Sequence, residues 1–403
     1  MSSSAERPCP VCDAHAGEAV HRRRFVLFDG HPLASGYTVV TCRNCGAAYA
    51  TPLPPQEAFE RFYRDASKYA DAATGTGSGA QLWDDERLAN TARELSLFVS
   101  ERDAHIVDLG CAAGGLLRQF AALDYHNLTG IDPAPACAEA VEKIPGVRGV
   151  VGSLFALPAR VAPASLVVLS HVMEHVREVG LAVEALRQLV RPGGRVYVEC
   201  PDAARYADYL VAPFLDFNTE HINHFSVRTL ERMFSAHRWD VVASGTKDIA
   251  SSPTSCYPCA WVLAELPREA REATPVTADV ALRAALVRYV RMSEALLAGV
   301  VKRCESLKLD GREVFVWGTG QTTAILLADT PLARARIRAF TDSNPVHHGR
   351  TIAGVHVVPP AELRATPEVP IVIGSLLHGP EIAMSIAALG LTNPVIRLDP
   401  SAP

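Results

Sequence analysis

Two pairs of cysteines near the N-terminus carry the clearest chemical signal in the sequence. Each pair has Cys-x-x-Cys spacing, Cys9 with Cys12 and Cys42 with Cys45. Thiolates at this spacing hold one ion from a tight turn, and two such turns complete a tetrahedral zinc site. Because four thiolates leave no open coordination position, we predict a structural zinc site. A redox pair or a chance coincidence is disfavoured, since the two pairs occur together.

A glycine-bearing loop is the second signal. It starts at Asp108, contains Gly110 and Gly114, and is followed by Asp132 at the end of the next predicted strand. Glycines let the backbone approach a ligand closely, and an acidic residue in the later position can bind both hydroxyls of a ribose. The pattern therefore predicts a nucleoside site made by these four residues.

The type of nucleoside follows from what the loop lacks. A dinucleotide fingerprint needs a second glycine where this chain has Ala112,. Asp108 instead suits the positively charged methionine part of S-adenosylmethionine, and Ser153 and Leu154 are expected to cover the adenine. A strand-turn-helix with only a structural role would leave Asp132 unexplained.

These residues must be positioned by an α/β fold. Short apolar strands alternate with helices between residues 106 and 199, which indicates a parallel sheet covered on both faces,. Residues 278–308 read as one long helix at helical spacing. A second, smaller βα pattern starts at Glu313. We predict four parts: a zinc-binding module (1–55), a central Rossmann-like domain (56–250), a helical spacer (251–310) and a C-terminal α/β domain (311–403).

The central motifs resemble those of class I S-adenosylmethionine-dependent methyltransferases. They are Asp-Leu-Gly-Cys-Ala-Ala-Gly-Gly from Asp108, Ile-Asp-Pro from Ile131, Ser-His-Val-Met-Glu-His-Val from Ser170 and Arg-Pro-Gly-Gly-Arg from Arg191. The three-part order of zinc module, methyltransferase domain and C-terminal α/β domain is similar to the sugar-nucleotide C-methyltransferases of deoxysugar pathways. The resemblance implies methyl transfer to a sugar or sugar-nucleotide acceptor, with S-adenosylmethionine and a structural zinc ion as cofactors.

A polar segment, residues 218–226, is the best candidate for acid–base chemistry. Glu220, His221 and His224 could form a base and the group that orients it, because histidine titrates near neutral pH,. The resemblance matches His224 to the family's base, whereas the expected Tyr and Glu are His221 and Asn223 here. Methyl transfer to an oxygen or nitrogen atom of the acceptor is therefore an alternative to transfer to carbon. The alternative is a structural role, in which these histidines cap a helix or fill a turn.

Other residues are expected to complete the site. His171, which follows the fourth strand, could line the reaction centre, whereas Glu174 and His175 could equally satisfy backbone groups at a helix start. Tyr69, before the glycine-rich stretch 75–79, is expected to contact the acceptor, and that stretch reads as a lid. The resemblance implies that the C-terminal domain holds the acceptor; the candidate contacts are Asn223, Gly318, Gly320 and Arg350.

The charge balance limits the class of partner. The chain has 39 basic and 44 acidic residues, a formal net charge of −5, which disfavours a nucleic-acid surface and hence a zinc-ribbon RNA methyltransferase. A dehydrogenase-like protein using Gly318 to Asp342 is a third reading. No apolar run has the length of a membrane span, so we expect a cytoplasmic monomer or homodimer with a small-molecule acceptor.

Overall fold

The computed structural model describes residues 6–67, 81–158, 161–252, 255–269, 272 and 277–399. The strands are β1 (Gly17–Arg24), β2 (Gly36–Cys42), β3 (Ala48–Thr51), β4 (Ile106–Leu109), β5 (Leu128–Asp132), β6 (Val147–Val151), β7 (Ala164–Ser170), β8 (Val190–Pro201), β9 (Asn223–His224), β10 (Asp240–Ser252), β11 (Ser255–Glu265), β12 (Glu313–Trp317), β13 (Arg336–Thr341), β14 (Thr351–Ile352), β15 (Val355–Val358), β16 (Ile371–Ile373) and β17 (Val395–Arg397). The α-helices are α1 (Gln56–Asp65), α2 (Leu82–Ser96), α3 (Gly115–Ala122), α4 (Pro135–Glu142), α5 (Val179–Leu189), α6 (Val227–Ala236), α7 (Leu282–Ser306), α8 (Gln321–Asp329) and α9 (Gly379–Ala388).

The chain divides into two compact units. The first comprises residues 1–20, 40–209 and 220–285, and the second comprises residues 21–39, 210–219 and 286–403. The four cysteines, the glycine-bearing loop and the 220–224 segment belong to the first unit. The boundaries of the four predicted parts stay a prediction.

A seven-stranded sheet forms the centre of the first unit. Its order is β10-β11-β8-β7-β4-β5-β6. Strands β8, β7, β4, β5 and β6, which are neighbours in this order, are parallel to one another. Strand β11 runs antiparallel to both β8 and β10. Every residue of β4 and β5 is buried, as expected for strands covered on both faces. The parallel α/β sheet predicted from the sequence is therefore present.

Two separate apolar clusters cover the two faces of this sheet. Val107 and Val167 belong to one cluster, while Ile106 and Val168 belong to the other. Because successive side chains of a strand point to opposite faces, this alternation is what a sheet between two helical layers requires. The packing fixes the strand ends, and with them the loops that carry the polar residues.

The antiparallel hairpin β10–β11 differs from the sequence expectation. Residues 251–310 are predicted as a helical spacer, yet residues 255–265 form strand β11 beside β8. The predicted long helix is present as α7. The segment before it has Pro258 and two cysteines between its apolar residues, which obscures the strand pattern in the sequence.

The second unit contains a six-stranded sheet of order β14-β15-β13-β12-β16-β17. Its strands are parallel except β14, which pairs antiparallel with β15. Helix α8 follows β12 directly. None of the helices in the described ranges is long and apolar enough to cross a membrane.

Candidate functional site

A cavity of the first unit lies where the order of the parallel strands reverses. The chain runs outward from β4 to β5 and β6, then returns to β7 on the other side of β4. Ligands of open α/β sheets bind in the crevice that this reversal leaves at the carboxyl ends of the strands. The cavity is lined by the loops after all four strands and by α1 and α2: Gln56, Phe59, Glu60, Tyr63, Arg87, Leu88, Asp108–Ala112, Leu116, Asp132, Pro133, Ser153–Phe155, Ser170–Val172, His175 and Val176.

The loop after β4 needs its glycines for steric reasons. Gly110 has a φ of +81°, and a Cβ there would lie 2.5 Å from Cγ2 of Val172. Gly114 precedes α3 with a φ of +77°, and its Cβ would lie 2.8 Å from Ile144. Both positions combine a left-handed backbone with a close neighbour, so only glycine fits.

Asp132 is held by the same loop. One of its carboxylate oxygens accepts the N–H of Ala112 at 3.0 Å, and the other accepts the N–H of Ala134 at 2.9 Å. Burial raises its pKa to about 6, although these two hydrogen bonds act in the opposite direction. The carboxylate is therefore fixed at the end of β5 and lines the cavity, where the sequence predicts ribose binding.

Asp108 gives the cavity a second buried carboxyl group. Only 5% of the residue is exposed, and burial followed by the charge of Asp132 raises its pKa to about 7. Two neighbouring carboxyl groups with raised pKa values favour a ligand that brings positive charge. Ser153 and Leu154 line the same cavity after β6, as predicted for adenine-binding residues.

His171 lies between two buried carboxylates. Its Nδ1 is 3.2 Å from Oε1 of Glu174, and its Nε2 is 3.5 Å from Oε1 of Glu199. Burial lowers its pKa, but the Cys259 sulfur, Glu174 and Glu199 raise it well above the usual value. These neighbours favour the protonated form of the imidazole. Its backbone has a φ of 57°, a strained conformation of the kind concentrated at functional sites.

Glu199 is the centre of a buried network that sequence reasoning missed. Its carboxylate lies 2.5 Å from Nζ of Lys247 and accepts hydrogen bonds from the hydroxyl groups of Tyr197 and Ser170. Burial would raise its pKa, but Lys247 and His171 lower it well below the usual value. The signal available in the sequence was a single acidic residue inside an apolar strand.

Glu174 and His175 form a second polar group beside the cavity. His175 lines it, and its Nδ1 donates to the carbonyl oxygen of Glu220 at 2.9 Å. Burial alone would raise the pKa of Glu174, but His175 and His171 lower it to about 2. The ring of His221 lies 5.1 Å from that of His175. Sequence reasoning assigned Glu174 and His175 no preferred role.

The segment predicted for acid–base chemistry packs behind these residues. His224 lies in β9, pairs with Ala48 of β3 and is 1% exposed. Burial and the charge of Arg7 lower its pKa to about 3, so its imidazole is neutral. Glu220, His221, Asn223 and His224 are not among the residues that line the described cavity. Their catalytic and acceptor-binding roles stay predictions, and Tyr69 and the predicted lid at 75–79 lie outside the described residues.

The four N-terminal cysteines converge as the sequence predicts. The sulfur atoms of Cys9 and Cys45 are 3.4 Å apart, those of Cys12 and Cys42 are 3.7 Å apart, and all four lie within 4.8 Å of one another. A tetrahedral ion with sulfur ligands at about 2.3 Å needs separations of roughly 3.7 Å. The cluster fits a zinc ion.

The second unit repeats one detail of the central site. Asp342 follows β13 and accepts hydrogen bonds from the N–H and the hydroxyl of Thr319 at 2.8 and 2.7 Å, much as Asp132 accepts the N–H of Ala112. Gly318, before Thr319, has a φ of +99°. Gly320 caps α8, and the guanidinium of Arg350 stacks 3.8 Å from the ring centre of Phe28. Acceptor binding by Gly318, Gly320 and Arg350 stays a prediction.

Comparison with known proteins identifies the central region. Residues 82–244 match a family model described as a methyltransferase domain, which covers less than half of the chain. This stretch contains the glycine-bearing loop, Asp132 and His171. The prediction that the chain is an enzyme of the S-adenosylmethionine-dependent methyltransferase class is confirmed. None of the curated proteins matches the chain.

Solved structures with a similar fold have low identity. A Burkholderia thailandensis 1,6-didemethyltoxoflavin N1-methyltransferase, solved with 1,6-didemethyltoxoflavin and S-adenosylhomocysteine, is 15% identical; the match covers 56% of this chain and 97% of that one, with a TM-score of 0.40. The complex of the Haloferax volcanii Trm112 methyltransferase activator with a methyltransferase described there as putative is 16% identical. That match covers 51% of this chain and 99% of that one, with a TM-score of 0.42. The glycopeptide N-methyltransferase MtfA is 17% identical; the match covers 44% of this chain and 96% of that one, with a TM-score of 0.37.

Proposed function

We propose that this protein transfers the methyl group of S-adenosylmethionine to a hydroxyl group of a small, sugar-type acceptor. The observation that carries the cofactor is the pair of buried carboxyl groups, Asp108 and Asp132, on the glycine-bearing loop of the cavity. When bound, the cofactor supplies a methyl group that is already electrophilic. The protein must then bind, align and deprotonate the acceptor.

The residues divide the binding tasks between them. Asp132 would accept hydrogen bonds from ribose hydroxyls, and Ser153 and Leu154 would flank the adenine. Asp108, in its ionised form, would face the positively charged end of the cofactor. The acceptor would then occupy the part of the cavity near His171 and His175.

The polarity of this part of the cavity supports a hydroxyl-rich acceptor. Gln56, Glu60 and Tyr63 of α1 line the same cavity as His175, and the ring of Tyr63 lies 5.5 Å from that of His175. Such side chains donate and accept hydrogen bonds with hydroxyl groups. The resemblance to sugar-nucleotide C-methyltransferases adds the same class of acceptor. The hydrogen bonds from Thr319 to Asp342 support a nucleotide-binding loop in the second unit.

C-methylation of a sugar nucleotide, with His224 as base, is the second candidate. The resemblance favours it, whereas the lowered pKa of His224, about 3, makes its imidazole a weak base,. Two observations support the hydroxyl acceptor instead. His171 and His175 line the described cavity and His224 does not, and neither His221 nor Asn223 matches the C-methyltransferase pattern.

The experiment has two parts. Calorimetry with S-adenosylhomocysteine and with NAD tests the cofactor, and we expect binding of the first alone. Turnover of labelled S-adenosylmethionine with a panel of sugar nucleotides and free sugars tests the acceptor, and NMR of the product distinguishes a new O-methyl group from a C-methyl group. A protein that binds S-adenosylhomocysteine but methylates only non-sugar acceptors would overturn the sugar class. Normal turnover by His224→Ala would remove that residue as the base.

A further inference from the structure

The strongest unassigned feature is a convergence of two histidines and one carboxylate behind the cavity. The ligand atoms of Glu174, His175 and His221 all lie within 4.8 Å of one another. All three residues belong to the first unit, and His175 also lines the cavity. Neither the zinc site nor the cofactor site uses them.

The carboxylate of Glu174 has an unused oxygen. Its Oε1 faces Nδ1 of His171, but its Oε2 is buried and accepts no hydrogen bond from any described N–H or O–H group. The thiol of Cys200 also interacts with this carboxylate. The residue is 1% exposed. Leaving a charged acceptor buried without a partner is costly, so the arrangement calls for a positive ligand at this position.

His175 is already oriented as a metal ligand would be. Its Nδ1 carries a hydrogen, because it lies 2.9 Å from the carbonyl oxygen of Glu220. In the neutral imidazole, Nε2 then presents its lone pair. Histidines that bind metals usually hold their second nitrogen in this way. Nε2 is 3.9 Å from Oε1 of Glu174, which is longer than a hydrogen bond and brings the Glu174 carboxylate into the range of an ion that lies about 2.0–2.2 Å from each ligand.

We propose that Glu174, His175 and His221 bind a divalent transition-metal ion at the wall of the acceptor cavity. Two imidazoles and one carboxylate are typical of zinc, manganese or iron sites that retain an open position. The four-cysteine cluster, in contrast, is closed. His171 would act as a positioning residue, since its bond to Oε1 leaves Oε2 for the ion.

This inference rests on the proposed function and specifies how the acceptor is activated. A hydroxyl bound at the open position loses its proton to solvent water more readily, because the ion stabilises the alkoxide. The alkoxide oxygen then forms a bond to the methyl carbon. The carbon–sulfur bond breaks with its electron pair going to sulfur, which leaves the neutral thioether. No oxidant or reductant is required.

Cobalt binding tests the site without any acceptor. The protein is stripped of metal under reducing conditions and titrated with Co²⁺ alone, followed by metal analysis of the desalted protein. We expect two ions per chain. One should give the intense near-ultraviolet thiolate charge-transfer band, and the other should give only weak visible bands from nitrogen and oxygen ligands. A wild-type protein that saturates at one ion with the thiolate band would overturn the proposal.

Variants assign the second ion. Glu174→Gln and His221→Ala should each retain the thiolate band and lose one ion per chain, while Glu139→Gln, an exposed carboxylate, should retain both. Calorimetry with S-adenosylhomocysteine shows whether each variant is folded. Two ions in both folded variants would also overturn the proposal.

The two proposals fail in different ways. If two ions bind but no sugar is methylated, the acceptor class is wrong and the metal site stands. If sugars are methylated by a protein with one ion, and added chelator leaves the rate unchanged, the metal inference is wrong and the function stands.

Discussion

Arg7 donates a hydrogen bond to the side-chain oxygen of Asn223 at 2.7 Å, and both residues are buried. The same guanidinium donates to the carbonyl oxygens of Ala50, Arg177 and Ile222. Asn223 in turn donates to the carbonyl oxygens of Met173 and Val176. Two residues before Cys9, the arginine therefore connects the cysteine module to the turn that carries Glu174 and His175.

Replacing Asn223 should destabilise this connection. In Asn223→Ala the buried charge of Arg7 loses one acceptor, and the carbonyl groups of Met173 and Val176 each lose the amide of Asn223 as a donor. We therefore expect the free energy of unfolding to fall by about 2–4 kcal/mol. Denaturant unfolding measures it. Asn127→Ala, at an exposed asparagine, is the control and should change the value by less than about 0.5 kcal/mol. Equal stability of both variants would contradict the role of Asn223.

The raised pKa of Asp108 predicts opposite effects on stability and on binding. Because the pKa rises from 3.8 to about 7 on folding, the folded empty protein binds more protons than the unfolded chain between these values. Its stability is therefore greatest at low pH with respect to this group, and decreases as pH rises towards 7. Asp108→Asn should stabilise the empty protein at pH 8, by up to about 4 kcal/mol, and weaken cofactor binding.

The pH dependence of binding provides the matching measurement. Wild-type affinity for S-adenosylmethionine should increase between pH 6 and pH 8 as Asp108 ionises, and Asp108→Asn should flatten that increase. Asp124→Asn, at an exposed aspartate that also has a positive φ, should leave both properties unchanged. If Asp108→Asn lowers the Tm of the empty protein at pH 8, the prediction that the ionised Asp108 carboxylate destabilises the empty protein is wrong.

Gly110 should tolerate no side chain. An added Cβ would lie 2.5 Å from Val172 in a left-handed backbone conformation, so Gly110→Ala should displace Val172, which lines the cavity, and weaken S-adenosylhomocysteine binding by at least tenfold. Gly30→Ala separates the effect of the left-handed backbone from that of the close contact, because Gly30 has a φ of +74° and no atom within 4 Å of its Cβ position. This control should lose only about 1–2 kcal/mol of stability and no affinity. Unchanged affinity in Gly110→Ala would contradict the close approach.

The cysteine cluster should hold one zinc ion that stabilises the fold. Cys9→Ser and Cys42→Ser should each lose one zinc per chain and lower the Tm and solubility, because a structural zinc site contributes directly to folding. Cys256→Ser, at an exposed cysteine, should keep the zinc and the Tm. Full zinc content in both cluster variants would show that the four thiols do not form one site.

Much of the fold follows from local sequence patterns. The apolar strands around Val107 and Val167, the helix after Gly114 and the long helix α7 are visible because their periodicity and their glycine punctuation are local. The strand β11 was missed, since Pro258 and the two cysteines hide its alternation and its pairing with β8 is non-local. Strand pairing across many residues leaves little trace in a single sequence.

The candidate site likewise contains residues that local sequence patterns predict and residues that they do not. The placement of Asp108, Asp132, Ser153 and Leu154 at the cavity could be predicted because each lies at or just after the end of a recognisable strand. The environment of His171 could not, because Glu174, Glu199 and Lys247 reach it from different elements. His224 looked accessible in a polar segment, but its pairing with Ala48 in β9 places it in the interior.

The central claim is that the loop 108–115 and Asp132 bind S-adenosylmethionine, and calorimetry with S-adenosylhomocysteine tests it most directly. We expect one molecule to bind per wild-type chain, and Asp132→Ala to weaken that binding at least a hundredfold, because two hydrogen bonds to the ribose would be lost. Absence of binding by folded wild-type protein, or equal affinity in Asp132→Ala, would contradict the claim.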